Sequence, residues 1–179
     1  MLEIVKLTPA HPDITRARTL YETAFPPEER RTWDSMVDDP AGDIGIWGLF
    51  HHGVYCGFVI LMTQGDICHN MYFAIEEPFR DKGLGAQALA ALRQQLPGLR
   101  IIVDIEQQEP AAENSDLRRR RKAFYLRCGY RETGVFYTWQ GVGYEILCDG
   151  GPLTDAEFHN LWKQASERRK AALAAKAKQ

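Results

Sequence analysis

The sequence predicts an α/β fold in which a mixed, mostly antiparallel central sheet is flanked by helices and followed by one extra C-terminal helix. Three observations predict it. Three consecutive runs rich in β-branched and aromatic residues lie before residue 76, and turn residues part them. An amphipathic segment from Gly83 separates these runs from a further strand starting at Arg100. A last hairpin pattern then precedes an Ala- and Lys-rich helical tail, giving the order strands, helix, strand, helix, strands.

The elements follow in order. Residues 2–7 read as a short strand, and residues 11–25 as a helix carrying Ile14, Ala17, Leu20, Tyr21 and Ala24 at helical spacing. Pro26 and Pro27 end that helix, and residues 28–37 restart as a second one, with Pro27 in the turn where a missing N–H costs nothing. Residues 43–50, 54–63 and 67–75 form an antiparallel meander through His52-Gly53 and Gln64-Gly65-Asp66. Residues 83–96 are helical, with a stripe of Ala88, Leu89, Leu92 and Leu96 that Pro97-Gly98 stops. In the strand 100–106, alternation puts Ile101, Val103 and Ile105 on one face and the carboxylates Asp104 and Glu106 on the other. Ser115 caps a helix reaching Cys128, with Leu117, Phe124 and Cys128 as its apolar stripe and Gly129 as its stop. Residues 135–140 and 144–148 pair around Gly141-Val142-Gly143. Thr154 or Asp155 opens the last helix through Phe158, Leu161, Trp162 and Ala165. The chain thus divides into a domain, 1–149, and a C-terminal helical extension, 150–179, which Gly150-Gly151-Pro152 lets dock as an appendage.

With 179 residues, 45% of them hydrophobic and 26% charged, the chain can bury the core of one typical domain. The first residues carry Glu3 and Lys6 and lack an apolar h-region, and no long uncharged apolar run follows, so a cytoplasmic protein without membrane partners is expected. Cys56, Cys68, Cys128 and Cys148 are spaced unlike metal ligands and read as reduced thiols; no metal is expected. Five of the 22 basic residues follow Glu167, where no acid occurs, so residues 1–167 carry 17 basic against 24 acidic groups, a net −7. An acidic body suits a cationic substrate better than a polyanion. The run Arg118-Arg119-Arg120-Arg121-Lys122 turns through about 500° on a helix, surrounding it instead of forming one patch, which argues against a nucleic-acid interface. Nothing in the sequence fixes the oligomeric state, and a homodimer is compatible with it.

The strongest chemical signal lies in Tyr72 to Ala86, where an apolar strand leads through Arg80-Asp81-Lys82-Gly83-Leu84-Gly85 into a helix. A helix N-terminus offers free N–H groups and the positive end of its dipole. Gly83 and Gly85 allow close backbone approach, and Arg80 and Lys82 add charge, so the turn is an anion site suited to phosphate. Neither a dinucleotide-binding glycine pattern nor a P-loop is present.

With these residues the chain resembles the GNAT superfamily of acyl-CoA N-acyltransferases, whose cofactor motif Q/R-x-x-G-x-G/A after the fourth strand is matched by Arg80, Gly83 and Gly85. Phe124-Tyr125-Leu126-Arg127-Cys128-Gly129-Tyr130 is similar to the family's A-x-x-F-Y-x-x-x-G-F, with Arg121 in place of the alanine. Residues 24–31 resemble the F-P-x-x-E-R segment of a bacterial subgroup. Glu77 and Asp81 stand where the family often has proline and glycine.

The resemblance implies a metal-free reaction in which an amine, of a small molecule or a protein, attacks the thioester of acetyl-CoA or a longer acyl-CoA directly. Phe73, Ala74 and Ile75 would offer strand backbone to the pantetheine arm, and Arg80, Asp81, Lys82, Gly83, Leu84, Gly85 and Ala86 would hold the pyrophosphate. Asn114 is similar in placement to a family asparagine that contacts the cofactor, and Tyr125 to the tyrosine that protonates the departing thiolate. A base must deprotonate the ammonium, whose pKa is about 10. Glu106 is the first choice; His69, where many relatives carry a catalytic glutamate, and a water relay are the alternatives. Glu28 and Glu29 fall where that fold builds its acceptor pocket, and either bind a cationic acceptor or serve as helix-start acids. A competing reading is a GNAT-like module that senses acyl-CoA without transferring the acyl group.

Overall fold

The computed structural model describes residues 2–178. Its strands are β1 (Leu2–Leu7), β2 (Ile44–His51), β3 (Val54–Gln64), β4 (Ile67–Ile75), β5 (Arg100–Glu106), β6 (Arg131–Trp139) and β7 (Val142–Asp149). The helices are α1 (Ile14–Ala24), α2 (Asp34–Val37), α3 (Leu84–Gln95), α4 (Ser115–Arg127) and α5 (Asp155–Lys176). One sheet holds all seven strands in the order β1-β2-β3-β4-β5-β7-β6. The β4–β5 pair is parallel and the other five described pairs are antiparallel. A mixed, mostly antiparallel sheet flanked by helices, with a further C-terminal helix, is thus the fold observed.

Alternation along the strands divides the core between the two faces. Val59, Leu61, Cys68, Ile101 and Val103 pack with Leu84, Ala88, Leu89 and Leu92 of α3 and Tyr125 of α4. On the opposite face, Phe58, Ile60 and Tyr72 meet Ala17, Leu20 and Tyr21 of α1. Beside them Met62, Ile102 and Ile146 are covered by Phe158 and Leu161 of α5, with Ile44 and Met71 bridging the two groups. Burying both faces accounts for the near-continuous apolar run of β3.

Several local expectations give way to tertiary contacts. Residues 28–37 do not form one helix: a 3-10 turn at Pro27–Glu29 is followed by extended chain and then the single turn of α2. Two buried tyrosines are the reason. The Tyr72 hydroxyl donates to the Glu29 carbonyl at 2.8 Å and accepts from the Arg31 N–H, while the Tyr21 hydroxyl donates to the Arg31 carbonyl. These bonds take the backbone groups a helix would need. Asn114, not Ser115, stands at the cap position of α4, and its side chain does not cap. Tyr125 is the buried residue of α4, whereas Leu117 is 51% exposed. The last hairpin turns at Gln140-Gly141, both at positive φ, because Trp139 pairs directly with Val142.

Thr154 caps α5 in a reciprocal capping box with Glu157. Arg100 binds Glu157 at 2.9 Å and Asp66 at 2.9 Å, tying the start of α5 to β5. Farther along, Arg168 and Arg169 pair with Asp43 and Asp39 ahead of β2. Among the described residues, no helix is long and apolar enough to cross a membrane.

Candidate active site

β4 and β5 pair only from Ile67–Arg100 to Asn70–Val103. The register with β3 passes from Leu61–Asn70 to Ile60–Tyr72, which leaves Met71 as an extra, bulged residue. A bulge bends its strand. Past it the two parallel strands share no further ladder bonds, so residues 71–75 of β4 and Asp104–Glu106 of β5 border a gap in the sheet.

A cavity of about 730 Å³ fills that gap. Phe73, Asn114, Leu117 and Tyr125 line it on the α4 side, and Phe25, Glu29, Tyr137, Trp139, Tyr144, Phe158 and Trp162 on the other. The cavity therefore passes through the sheet. Two buried polar side chains stand at its waist: both amide atoms of Asn70, 4% exposed, and Nδ1 of His69, 2% exposed, lack a hydrogen-bond partner. Unpartnered polar groups at such depth are uncommon and mark a place for a ligand.

The turn from Arg80 to Gly85 forms the approach to α3. Gly83 takes the N-cap position at φ +74, and no side chain caps the helix, so its first-turn N–H groups are left to other partners. Arg80 donates to the Ile75 carbonyl at 2.9 Å and Lys82 to the Pro78 carbonyl at 2.7 Å, folding both cations over the turn. Asp81 adopts φ +59, a left-handed conformation an aspartate tolerates. A Cβ at Gly85 would lie 3.2 Å from the Phe124 ring and 3.8 Å from that of Phe73, so α3 packs closely on α4 and β4 there. Leu84 is buried and Ala86 exposed. Phe73, Ala74 and Ile75 pair with β3 along one edge and leave the other facing the gap.

The candidate acid–base groups differ sharply in their surroundings. Glu106 accepts from Arg118 at 3.0 Å and Arg121 at 3.1 Å and from the Asn114 amide at 3.1 Å. The other end of the Asn114 side chain accepts from Arg118, so both its polar atoms are engaged. His69 Nε2 lies 2.8 Å from Asp104 Oδ1, and the Tyr137 hydroxyl donates to Asp104 Oδ2 at 2.6 Å. Burial pushes the Asp104 carboxyl up, but the charge and hydrogen bonds of His69 and the bond from Tyr137 outweigh it and hold it below its ordinary value. An ionised Asp104 accepts, so Nε2 of His69 is the donor, and Nδ1 is the nitrogen left without a partner among the described residues. Burial raises the Tyr125 phenol well above its usual range and keeps it protonated at neutral pH.

Of the two acids expected at an acceptor pocket, Glu29 lines the cavity, whereas Glu28 is exposed and does not. Burial, and then the charge of Glu106, raise the Glu29 carboxyl above its ordinary value. Asn70, Asp104, Tyr137, Trp139, Tyr144, Phe158 and Trp162 were not singled out as site residues from sequence. The alternation of Tyr137 with Trp139 in a strand was the available signal, since it puts both on one face. A second cavity, about 710 Å³, lies between α4 and the β6–β7 hairpin, where Lys122 pairs with Glu132 and Glu145.

A family model described as an acetyltransferase (GNAT) domain matches residues 42–132, just over half of the chain. The chain belongs to the GNAT acetyltransferase family. The matched GNAT segment runs from β2 to the first two residues of β6 and holds the β4–β5 gap with Asn114 and Tyr125, but not the cavity walls from residues 24–31, the rest of β6, β7 and α5. Among solved structures, a protein assigned to the GNAT family from Bacteroides thetaiotaomicron is 19% identical with a TM-score of 0.75, the match covering 90% of this chain and 94% of that one. The ribosomal-protein-S18-alanine N-acetyltransferase of Escherichia coli is 16% identical at a TM-score of 0.58, covering 86% and 96%. A GNAT acetyltransferase from Elizabethkingia anophelis with acetyl-CoA bound is 12% identical at 0.56, covering 83% and 97%. At these identities the likeness is one of GNAT fold. A comparison with curated proteins gave no match.

Proposed function

We propose that this GNAT chain transfers an acetyl group from acetyl-CoA to a primary amine by direct attack in a ternary complex. The observation that carries the reading is the cavity through the sheet, which joins the side bearing Tyr125 to an acidic, aromatic side. A donor entering from one face and an acceptor from the other would meet at Asn70. The uncapped first turn of α3, with Arg80 and Lys82 above it, fits a pyrophosphate, and the free edge of β4 at Phe73 and Ala74 fits an amide-bearing arm. Acetyl-CoA supplies an acyl group already activated as a thioester.

In this reading the ammonium first loses one proton; the amine nitrogen then forms the new C–N bond as the C–S bond breaks, Tyr125 gives its proton to the departing sulfur, and the second proton shed by the nitrogen restores Tyr125. The proton lost by the ammonium goes to Nδ1 of His69, whose orientation Asp104 and Tyr137 hold. Glu106 is assigned a positioning role, since Arg118, Arg121 and Asn114 already engage both of its oxygens. Residues 150–179 are assigned to the acceptor side as a wall, through Phe158 and Trp162.

The same ion pairs around Glu106, with the depth of His69, are what favour a silent acyl-CoA sensor as second reading. A panel of primary amines incubated with acetyl-CoA, monitored by release of free thiol, separates the two. Release above the amine-free rate is expected for at least one amine. Tight acetyl-CoA binding with no amine-dependent release from any of them would overturn the transferase reading.

A further inference from the structure

Three carboxylates line the gap, and their partners differ. Both oxygens of Asp104 are taken by His69 and Tyr137, and those of Glu106 by Arg118, Arg121 and Asn114. Glu29 alone of the three makes no ion pair among the described residues, although it is half-buried. One free anion matches one cation in the ligand. A polyamine would bring further positive charges against Arg31, which lines the same cavity, and would meet no second free acid there.

The surroundings of Glu29 say what the rest of the ligand is. Tyr137 pairs with Tyr144 across the β6–β7 ladder, their rings stacked at 5.2 Å and 19°. Trp139 is two residues along the same face and lines the cavity with them. Trp139 is 47% exposed and its ring stacks on no other ring among the described residues, an apolar surface left facing the cavity mouth. Glu29 is near enough for its charge, after burial, to raise the Tyr144 phenol. Asn70, nine-tenths buried and unpartnered, stands at the inner end of the same space.

We propose that the acceptor is a small monoamine with a flat apolar body, an arylalkylamine, whose ammonium docks on Glu29 and whose ring lies against Trp139 and Tyr144. This names the substrate class of the acetyltransferase reading and rests on it for turnover, but not for binding. A charge-assisted contact in a half-buried site sets the expected loss on Glu29→Gln at about 10-fold to 100-fold in affinity. An aromatic contact at an exposed rim sets that on Trp139→Ala at about 3-fold to 10-fold.

The test is calorimetric titration of 2-phenylethylamine, n-hexylamine, spermidine and a short peptide with a free N-terminus into the full chain saturated with CoA, which cannot react. Phenylethylamine is expected to bind at least 5-fold more tightly than the other three, with the losses given above in Glu29→Gln and Trp139→Ala. Tighter binding of spermidine or the peptide, no binding of phenylethylamine, or losses under 2-fold in both variants would overturn the proposal. Trp139→Phe, which keeps a ring at the rim, should retain most of the preference if the ring acts by stacking. Binding as expected without acetylation would sink the transferase reading and leave this site standing; acetylation of the peptide in preference would do the reverse.

Discussion

Whether α5 is an appendage or a wall of the fold decides how the acceptor side is built, and Phe158→Ala tests it. Leu153, Phe158 and Leu161 are 4%, 2% and 2% exposed, buried on Met62, Ile102 and Ile146 of the sheet. At about 1.5–3 kcal/mol for each buried apolar side chain, the three together contribute roughly 4.5–9 kcal/mol, an upper range because unfolded chains already bury some surface. That is comparable to the whole stability of an ordinary domain, about 5–15 kcal/mol. The ion pairs of Arg168 with Asp43 and Arg169 with Asp39 hold the far part of α5 against acids that are themselves buried. Phe158→Ala alone should cost about 3–5 kcal/mol, and at roughly 2–4 °C per kcal/mol for a chain of this size the melting midpoint should fall by about 6–20 °C. Thermal unfolding followed by circular dichroism measures it, with a chain ending at Asp149 as companion, expected to be at best marginally folded. A shift under about 2 °C for Phe158→Ala, with the shortened chain melting like the parent, would refute the packing argument and restore the appendage.

Tyr125→Phe keeps the ring packed on Phe124 and Tyr130 at 5.2 and 5.3 Å and removes only the hydroxyl. Turnover should fall by about 10²–10⁴-fold with acetyl-CoA affinity changed less than 2-fold; equal losses in both would undo its role as proton donor. Gly83→Ala meets no atom within 4 Å, so its cost is the left-handed backbone alone, about 1–2 kcal/mol by denaturant unfolding, and Gly83→Asn should recover much of it. A loss as large for Asn as for Ala would point to crowding instead. The hydrogen bond from Arg100, with those of Thr154, brings Glu157 from 4.5 down to about 2, so its contribution is present above pH 4.5 and lost as pH falls toward 2. The melting gap between parent and Glu157→Gln should therefore close over that window; a gap independent of pH would contradict the pairing.

Much of the site was legible because its signals are local. Gly83 and Gly85 answer to backbone needs at one helix start, and Tyr125 sits in a motif at the end of another, so spacing alone carries them. Glu106 and Asp104 were legible as sharing a strand face, but not their partners. Arg118 and Arg121 come from a helix that the sequence offers as a ring of equivalent cations, and only the docking of α4 beside β5 selects the two that bind Glu106. The same holds for Glu28 and Glu29: adjacent and alike in sequence, they are told apart by Tyr21 and Tyr72, which hold residues 29–31 out of a helix.

The sequence by itself determined the order and type of the elements outside residues 28–37, the glycine-bearing turn into α3, the family resemblance and the acidic character of the body. These follow from periodicities of two and 3.6 residues and from turn chemistry, which are properties of neighbouring residues. Tertiary structure alone decided that β4 and β5 part after Asn70, that His69, Asp104 and Tyr137 form one chain of hydrogen bonds, and that α5 walls the cavity. Those features join residues 33 to 93 positions apart, and the pairing of groups so distant is set by how faces are buried against one another, which no local pattern encodes.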